Sequence, residues 1–475
     1  MRPVPWQAAG YGRGANGTWL GDSRLTGICG MPKNCETAQS WRTPFTFPKM
    51  PKNKQFRRSN PGAIRRSAIF LAIAICLAVV GSGCDVAPGR SDSGTPLKIG
   101  LILNFSGSPQ ASADRERAFD LALKHINQGG GVFGMDVESV VADATSDPAT
   151  AVEVARNLVE QEGVHAIVGP NASSAALPVA QSVSGALDIP TISPSATSPR
   201  LTDVQDSDYF FRTALSDAFQ GPVLADLVHD RGFANVGLIY QEDAYGQGLA
   251  DAFAESWEGT LRRVGVGTSQ SDFGSELIQS GDQGAQALVV IAFEAPTLAI
   301  VRQAIEAGIY DQFVFCDASK RIGLIEALGG ERLGGMYGTA GASAPDDIAT
   351  AQWEAAFVDE FGELPVLAYV KETYDATVAI AFAAQAAGST DGALVRDRLR
   401  EIGGPPGTVV AATAEGVADG LRTLAEGKAI DYQGAANALD WDEAGDLVSG
   451  HIGVWRFTVD GRIEDLEAVA IDRRK

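Results

Sequence analysis

Short apolar stretches alternate with amphipathic stretches along the chain after residue 96. Residues 97–103 (LKIGLIL) predict a buried strand, and residues 113–127, whose apolar side chains recur at helical spacing, predict a helix. A strand at 137–142, a helix at 147–162 and a strand at 164–168 continue this order. Repeated strand–helix units imply a parallel, doubly wound sheet, so the pattern predicts an α/β fold.

A second series of the same kind begins near residue 219, after a short strand at 209–213. It predicts, in order, a helix at 219–231, a strand at 235–240, a turn at 241–248, a helix at 249–261, a strand at 287–293, a helix at 297–307 and a strand at 312–316. Residues 349–427 predict a mainly helical region, and residues 437–461 predict two strands joined by an acidic turn.

Two polar turns follow neighbouring predicted strands within residues 168–199. The first contains Ser173 and Ser174 just before a helix, and the second, residues 193–198, follows a strand at 189–192. Ligands of open α/β sheets bind at the carboxyl ends of the strands, and free N–H groups at a helix start favour an anion. The two turns therefore predict a site for a small carboxylate. Helix capping alone is the alternative for each single serine.

Acidic residues dominate the chain beyond its first 83 residues. The net charge is −21, although residues 1–83 carry 12 Lys and Arg against 2 Asp and Glu. The rest is too negative to favour nucleic acid or an anionic membrane surface as a partner. The four histidines are not spaced as metal ligands, so we expect no metal and no cofactor. Gly129, Gly131 and Gly134 match a dinucleotide-binding spacing but follow a helix, which excludes that motif.

The beginning of the chain predicts an export signal. Residues 1–49 lack apolar periodicity, and we interpret them as a non-native or disordered extension upstream of a start at Met50. Residues 50–83 combine a basic segment with a 13-residue apolar run at 68–80, which is typical of a signal peptide and short for a membrane span.

Cys84 follows small residues at the end of that run, as the lipidated cysteine of a bacterial lipoprotein does. We predict a lipoprotein signal peptide, lipidation of Cys84, a flexible tether at 84–95, and a location in the periplasm or at the cell surface. Gly81 stands where such signals usually have a branched residue. A signal peptide without lipidation and a short uncleaved anchor are therefore alternatives.

Several longer stretches after residue 96 occur in a recognisable order. They read LKIGLILNFSG, HINQGGGVFG, DATSDPATAVEVARNLV, AIVGPNASSAALPVA, PTISPSATSPRLT, YFFRT, DAYGQGLA, VRQAIEAGI and ALDWDEAGDL. In this order they resemble the leucine/isoleucine/valine-binding branch of the type I periplasmic binding proteins of ABC transporters, over residues 96 to about 472. The resemblance implies two doubly wound parallel-sheet lobes joined by three hinge crossings, near Thr213, Gly341 and Gly453. It implies lobes at 96–213 with 342–452 and at 214–341 with 453–475.

The resemblance also implies a site for an α-amino acid. The ligand-binding positions that it assigns are Ser173, Ser174, Ser195, Ala196, Thr197, Tyr245, Phe293 and Asp317. Ser173 and Thr197 are expected to hold the carboxylate. The backbone carbonyl of Ser195 and the acid Asp317 are expected to face the ammonium. Packing beneath a turn for Tyr245 and helix capping for Asp317 are the alternatives.

The chain departs from the family at two places. The aromatic residue that many relatives have in the first loop is absent from SGSPQASAD. The residues that line the pocket for the ligand side chain are therefore not assigned. The positions that many relatives bridge by a disulfide are Ser146 and Ala172.

The resemblance implies a monomeric binding protein that captures a small amino acid or related polar metabolite and delivers it to an ABC transporter permease. A ligand-sensing receptor component is the alternative, and amides, urea-like compounds and aromatic acids are alternative ligands. The chain has no G-x-S-x-G motif and no plausible Ser-His-Asp order, so we do not expect an enzyme.

Overall fold

The computed structural model describes residues 94–145 and 147–474, all within the compact unit Cys84–Lys475. The predicted extension at 1–49, the signal peptide at 50–83, the lipidation site Cys84 and most of the tether lie outside the described residues. No single helix of the described part is both long and apolar enough to cross a membrane, although one pair of helices, bent by 111°, meets the length and composition criteria together.

The first sheet has five strands, all parallel, in the order β2-β1-β3-β4-β5. Its strands are β1 Lys98–Leu103, β2 Glu138–Asp143, β3 Ala166–Val168, β4 Thr191–Ser193 and β5 Phe210–Arg212. The helices between them are α1 Pro109–Gln128, α2 Pro148–Glu160 and α3 Ser173–Val179, which continues as a π-helical turn, Ala180–Ser184. The side chains of β1 and β3 are buried almost without exception, because helices cover both faces of a parallel sheet.

The second sheet has seven strands in the order β14-β13-β10-β9-β8-β6-β7. Its strands are β6 Asn235–Gln241, β7 Thr260–Val266, β8 Ala287–Ile291, β9 Phe313–Phe315, β10 Tyr337–Ala342, β13 Ser449–Phe457 and β14 Ile463–Asp472. Its helices are α4 Asp217–Asp230, α5 Ala244–Ser256, α6 Gly274–Ser280, α7 Glu294–Ala307, α8 Ile322–Leu328 and α9 Gly330–Leu333.

The remaining elements pack on the first sheet. They are α10 Ile348–Phe361, α11 Lys371–Ala387, α12 Gly392–Leu399, β11 Thr408–Ala411, α13 Ala414–Ala425 and β12 Ile430–Gln433. Thirteen of the 17 residues of α11 are buried, and its apolar side chains share one core with those of β1 and α1. We call the five-stranded sheet with these elements the first lobe, and the seven-stranded sheet with its helices the second lobe.

The predicted α/β architecture with two doubly wound sheets is confirmed, with one difference at an edge. Strand β13 runs antiparallel to β10 on one side and to β14 on the other, whereas the lobes were predicted to have parallel sheets. The short connection between β13 and β14 accounts for the second of these pairs, because a few residues can join only antiparallel neighbours. The prediction of two strands within 437–461 was wrong: that range holds β13 and an isolated bridge between Trp441 and Leu447.

Three further boundaries differ from the prediction. Helix α5 begins at Ala244, inside the predicted turn at 241–248, because the side chain of Asp243 caps it by accepting from the Gly246 N–H. The predicted helix then runs too far, since β7 already begins at Thr260. Helix α4 begins at Asp217, two residues early, where Ser216 caps it.

Candidate ligand-binding site

The two polar turns of the first lobe meet each other at the carboxyl ends of β3 and β4. The Ser198 N–H donates to Ser173 Oγ (3.2 Å), and Ser195 Oγ donates to the carbonyl oxygen of Asn171 (3.0 Å). The Ala196 N–H donates to Ser193 Oγ (3.1 Å). The structure therefore brings Ser173, Ser195, Ala196 and the intervening backbone into one rigid unit, as the adjacent turns predicted.

A buried ion pair between Arg212 and Asp446 supports the second polar turn, residues 193–198. Arg212 at the end of β5 donates from Nε to Asp446 Oδ1 (2.7 Å) and from Nη1 to the carbonyl oxygens of Ser198 (2.9 Å) and Ala196 (3.4 Å). Trp441 Nε1 donates to the carbonyl oxygen of Arg212 (2.6 Å). The segment around Trp441 thus stabilises the turn through Arg212.

Asp317 is the centre of the second-lobe half of the site. It follows β9 directly, and its Oδ1 accepts hydrogen bonds from Tyr245 OH (2.6 Å) and Gln220 Nε2 (3.0 Å). The ring of Tyr245 packs on that of Phe293, with centroids 5.2 Å apart. Of the three second-lobe residues that the resemblance assigns, Tyr245 therefore contacts both Phe293 and Asp317.

Tyr369 joins this cluster from the loop that precedes α11. Its OH donates to Asp317 Oδ2 (3.2 Å), and its backbone has φ 70°, in the left-handed region that non-glycine residues seldom adopt. Such conformations persist only where the surroundings impose them, and they are common in ligand sites. Tyr369 also lines a cavity of ≈ 530 Å³ together with Lys320, Glu372 and Asp465. The sequence offered no signal for Tyr369, because it lies in a loop of the predicted helical region.

A second buried acid, Asp217, lies beside the predicted site. Thr197 Oγ1 donates to Asp217 Oδ2 (2.9 Å), and the Asp217 N–H donates to the carbonyl oxygen of Thr197 (2.8 Å). Asp217 is 0% exposed, and its Oδ1 has no hydrogen-bond partner among the described residues. Burial, and then the charge of Asp317, raise the pKa of Asp217 well above its usual value. The sequence contains a local signal for Asp217. This residue comes shortly after the predicted strand at 209–213 and directly follows Ser216, which caps α4.

The other polar groups of the cluster are held neutral. Burial and the charge of Asp317 raise the pKa of the Tyr245 and Tyr369 hydroxyls well above their usual value. Burial likewise raises the pKa of the Cys316 thiol, whose Sγ lies 3.1 Å from Tyr245 OH, to about 12. The site therefore presents neutral donors around two acids, an arrangement that can hold a cationic group.

The two lobes touch at the outer edge of the site. Ser198 Oγ of the first lobe donates to the carbonyl oxygen of Ala244 of the second lobe (2.7 Å). Next to it, Gly248 of α5 leaves so little room that an added Cβ would lie 2.8 Å from Ser198 Oγ and 2.8 Å from Pro199 Cδ. The lobes are thus in contact over the site.

Comparison with known proteins places this chain in a family. The sequence model of the periplasmic binding protein family matches residues 96–422. The chemotactic signal transduction system substrate-binding protein BasB of Halobacterium salinarum is 27% identical over 76% of this chain and 87% of its own. The leucine-, isoleucine-, valine-, threonine-, and alanine-binding protein of Pseudomonas aeruginosa is 28% identical, over 71% of this chain and 89% of its own.

A solved structure agrees at the level of the fold. The branched-chain amino acid transporter substrate-binding protein LivJ of Streptococcus pneumoniae, in complex with isoleucine, has a TM-score of 0.66 and 24% identity, over 79% of this chain and 100% of its own. These similar proteins are named as binding proteins and not as enzymes. The family match covers more than half of the chain. The chain therefore belongs to the periplasmic binding protein family.

Proposed function

We propose that the protein is an extracytoplasmic solute-binding protein that encloses a small α-amino acid between its lobes and presents it to the permease of an ABC transporter. The observation that carries this proposal is the buried carboxylate of Asp317, which neutral donors surround and which has no ion pair among the described residues. A buried charge without a partner is costly, so a cationic group of the ligand is its natural complement.

The remaining roles follow the resemblance. Ser173 and Thr197 hold the ligand carboxylate, and the backbone carbonyl of Ser195 faces the ammonium. Ser173 Oγ supports this, because it accepts from the Ser198 N–H and keeps its own proton for a ligand. Tyr245 donates to Asp317, and Phe293 packs on Tyr245 at the edge of the site.

The predicted lipidation site and tether of the chain belong to the same proposal. Lipidation of Cys84 anchors the monomeric protein to the membrane, in the periplasm or at the cell surface, and the tether at 84–95 lets the lobes reach a permease. Closure of the lobes around ligand is the state that the permease recognises.

A thermal-shift panel of amino acids tests the proposal. At least one aliphatic or polar α-amino acid is expected to raise the Tm, because a ligand at about 100 times its Kd adds about 2.7 kcal/mol to the free energy of unfolding. Non-amino carboxylates, amides and urea are the controls. No response to any α-amino acid, together with a response to one of these controls, would reject the assignment.

A sensing role is the second candidate, and the similarity to BasB favours it. In that case the closed protein would bind a receptor instead of a permease, with amides, urea-like compounds or aromatic acids as further candidate ligands. Deletion of the gene distinguishes the two: loss of uptake of the radiolabelled ligand indicates transport, whereas intact uptake with loss of the cellular response indicates sensing.

A further inference from the structure

A cavity of ≈ 530 Å³ lies between the two lobes and is separate from the ligand-binding site described above. Helices α10 and α11 of the first lobe and strands β10, β13 and β14 of the second lobe line it, together with loop residues 343–347 and 364–370. None of the eight residues that the resemblance assigns to the ligand lines this cavity. Tyr369 connects the two places, because it lines the cavity and its OH donates to Asp317. A cavity of this volume is large enough to hold a small organic molecule.

Part of the lining is apolar and exposed. Leu364, Val366 and Leu466 are large apolar side chains that are 38–45% exposed, and all three line this cavity. Trp353 and Leu367 also line it. Isolated exposed apolar residues are ordinary on a protein surface, whereas apolar side chains that converge on one cavity indicate a place where apolar groups bind. We therefore expect the ligand of this cavity to have an apolar body.

The charged part of the lining is mainly acidic. Six acids line the cavity, against two cations, Lys320 and Lys371. Lys320 Nζ lies 2.6 Å from Asp465 Oδ1, and Lys371 Nζ lies 2.6 Å from Glu354 Oε1. The other four acids of the lining form no ion pair with any residue that the structure describes. They are Asp346, Asp347, Glu372 and Glu467. The cavity thus has an excess of negative charge, which favours a cation.

Glu372 is the buried member of this set, with 5% of its surface exposed. Its carboxylate forms no hydrogen bond or ion pair with another side chain of the described residues. Lys320 and Lys371 favour its ionised form through their charge, but both are held in the ion pairs above. Arg115 also favours that form, and it donates to the carbonyl oxygen of Ala368 (3.2 Å). Burial outweighs these charges and raises the pKa of Glu372 to about 6. The carboxylate therefore lacks a cation in direct contact.

We propose that this cavity is a second binding site, which takes an organic cation with an apolar body, such as an aliphatic or aromatic primary amine. The ammonium group donates to the Glu372 carboxylate, and the apolar body packs on Val366 and Leu466. A free α-amino acid fits this site less well than the corresponding amine, because its carboxylate would face the excess of acids. The second site thus differs from the proposed amino-acid site in its residues and in the class of its ligand.

Calorimetric titration with 2-phenylethylamine at about pH 7.5 tests the second site. We expect a Kd of about 1 mM or below. Two control compounds should bind at least about 10-fold more weakly: 2-phenylethanol has the apolar body without the charge, and methylamine has the charge without the body. Glu372→Gln should weaken 2-phenylethylamine by at least about 10-fold, because a hydrogen bond between charged groups is stronger than one to a neutral amide. Leu466→Ser, at an exposed position, should weaken it by at least about 3-fold through the loss of apolar contact.

Glu363→Gln is the matched control, because Glu363 is exposed and precedes the apolar loop residues without lining the cavity. It should leave the affinity for 2-phenylethylamine unchanged, and so should Asp317→Asn. Loss of amine binding in Asp317→Asn would mean that the amine occupies the amino-acid site, which rejects the second site while the proposed function stands. Equal binding of 2-phenylethanol, unchanged affinity in Glu372→Gln, or no binding of the amine would each reject the proposal too. If Glu372→Gln does not fold, Leu466→Ser and the two control compounds decide.

Discussion

Asp317 combines two properties that are hard to reconcile without a ligand. Its carboxylate is 5% exposed, and three neutral side chains, Tyr245, Gln220 and Tyr369, donate to it. Such donors favour the charged form but do not neutralise it. The donors come from α4, α5 and the loop that precedes α11, so three separate segments hold the carboxylate in place.

Replacement of Asp317 by Asn tests its role. We expect the affinity for the responding amino acid to fall by about 10- to 100-fold, because a charged hydrogen bond to the ammonium contributes about 1.5–3 kcal/mol. Calorimetric titration measures the change, and Asp311→Asn, at an exposed position nearby, is the control. Unchanged affinity would show that Asp317 does not bind an ammonium.

Single residues differ in how well the sequence predicted them. Ser173, Thr197 and Tyr245 were assigned because each lies in a motif of the resemblance, and Asp317 was assigned because it matches an acid that the family places in the second lobe. Their roles as ligand contacts stay predictions. Gln220 and Tyr369 were not assigned, because their importance arises from contacts with distant parts of the chain. Gln220 and Asp317, for example, are 97 positions apart. No local pattern encodes such a pair.

The composition of helix α5 explains why its beginning was predicted as a turn. Its first turn contains Gly246 and Gly248, and glycine disfavours a helix, so the stretch was predicted as a turn. The cap at Asp243 and the burial of Leu249, Ala250 and Phe253 outweigh that preference. Strand β7 was not predicted, because its sequence, TLRRVGV, is half-exposed and alternates only weakly between apolar and polar residues.

Gly248 leaves room for the contact between the lobes, which explains why a glycine stands in helix α5. Ala at this position should favour α5 by about 1 kcal/mol but would introduce a Cβ 2.8 Å from Ser198 Oγ across the lobe contact. We therefore expect Gly248→Ala to leave the unliganded protein at least as stable and to weaken ligand binding by at least about 10-fold.

Thermal unfolding and calorimetric titration of the same preparation measure the two effects of Gly248→Ala. Gly274→Ala, also at a helix position but with its nearest atom at 3.5 Å, is the control and should bind normally. Normal affinity in Gly248→Ala would show that the lobes do not close at this contact.

At the scale of the molecule, the sequence predicted the two-lobe α/β architecture because strand and helix periods repeat through most of the chain. The hinge crossings near Thr213, Gly341 and Gly453 stay a prediction, as do the lobe boundaries drawn from them. The antiparallel edge of the second sheet could not be predicted, because strand order and direction depend on which edges are left free after the other strands have paired.

The free energy of unfolding should depend on pH through Glu372, a buried acid at the start of α11. Burial raises its pKa to about 6, against 4.5 in the unfolded chain. A raised acid pKa means that the folded state retains the proton longer, so this residue lowers stability as pH rises from about 4.5 through 6. The total loss is about 2 kcal/mol.

Urea unfolding of the unliganded protein between pH 4 and pH 7.5, compared with Glu372→Gln, isolates this contribution. The stability of the unaltered protein relative to the variant should fall by about 2 kcal/mol with rising pH. Glu363→Gln, at an exposed position, should show no such slope. Burial lowers the pKa of His125 to about 4, which gives the opposite slope, but His125 is present in all three proteins and cancels in the comparison. A parallel pH profile for Glu372→Gln would contradict the prediction.

The ion pair between Arg212 and Asp446 joins residues 234 positions apart, and it determines when binding activity can arise. A chain that emerges from its amino terminus can assemble β1 to β5 while Asp446 has yet to follow. During that interval Arg212 has no carboxylate to orient it, so the turn that carries Thr197 lacks its brace. The turn that carries Thr197 therefore becomes complete only when nearly the entire polypeptide has been delivered.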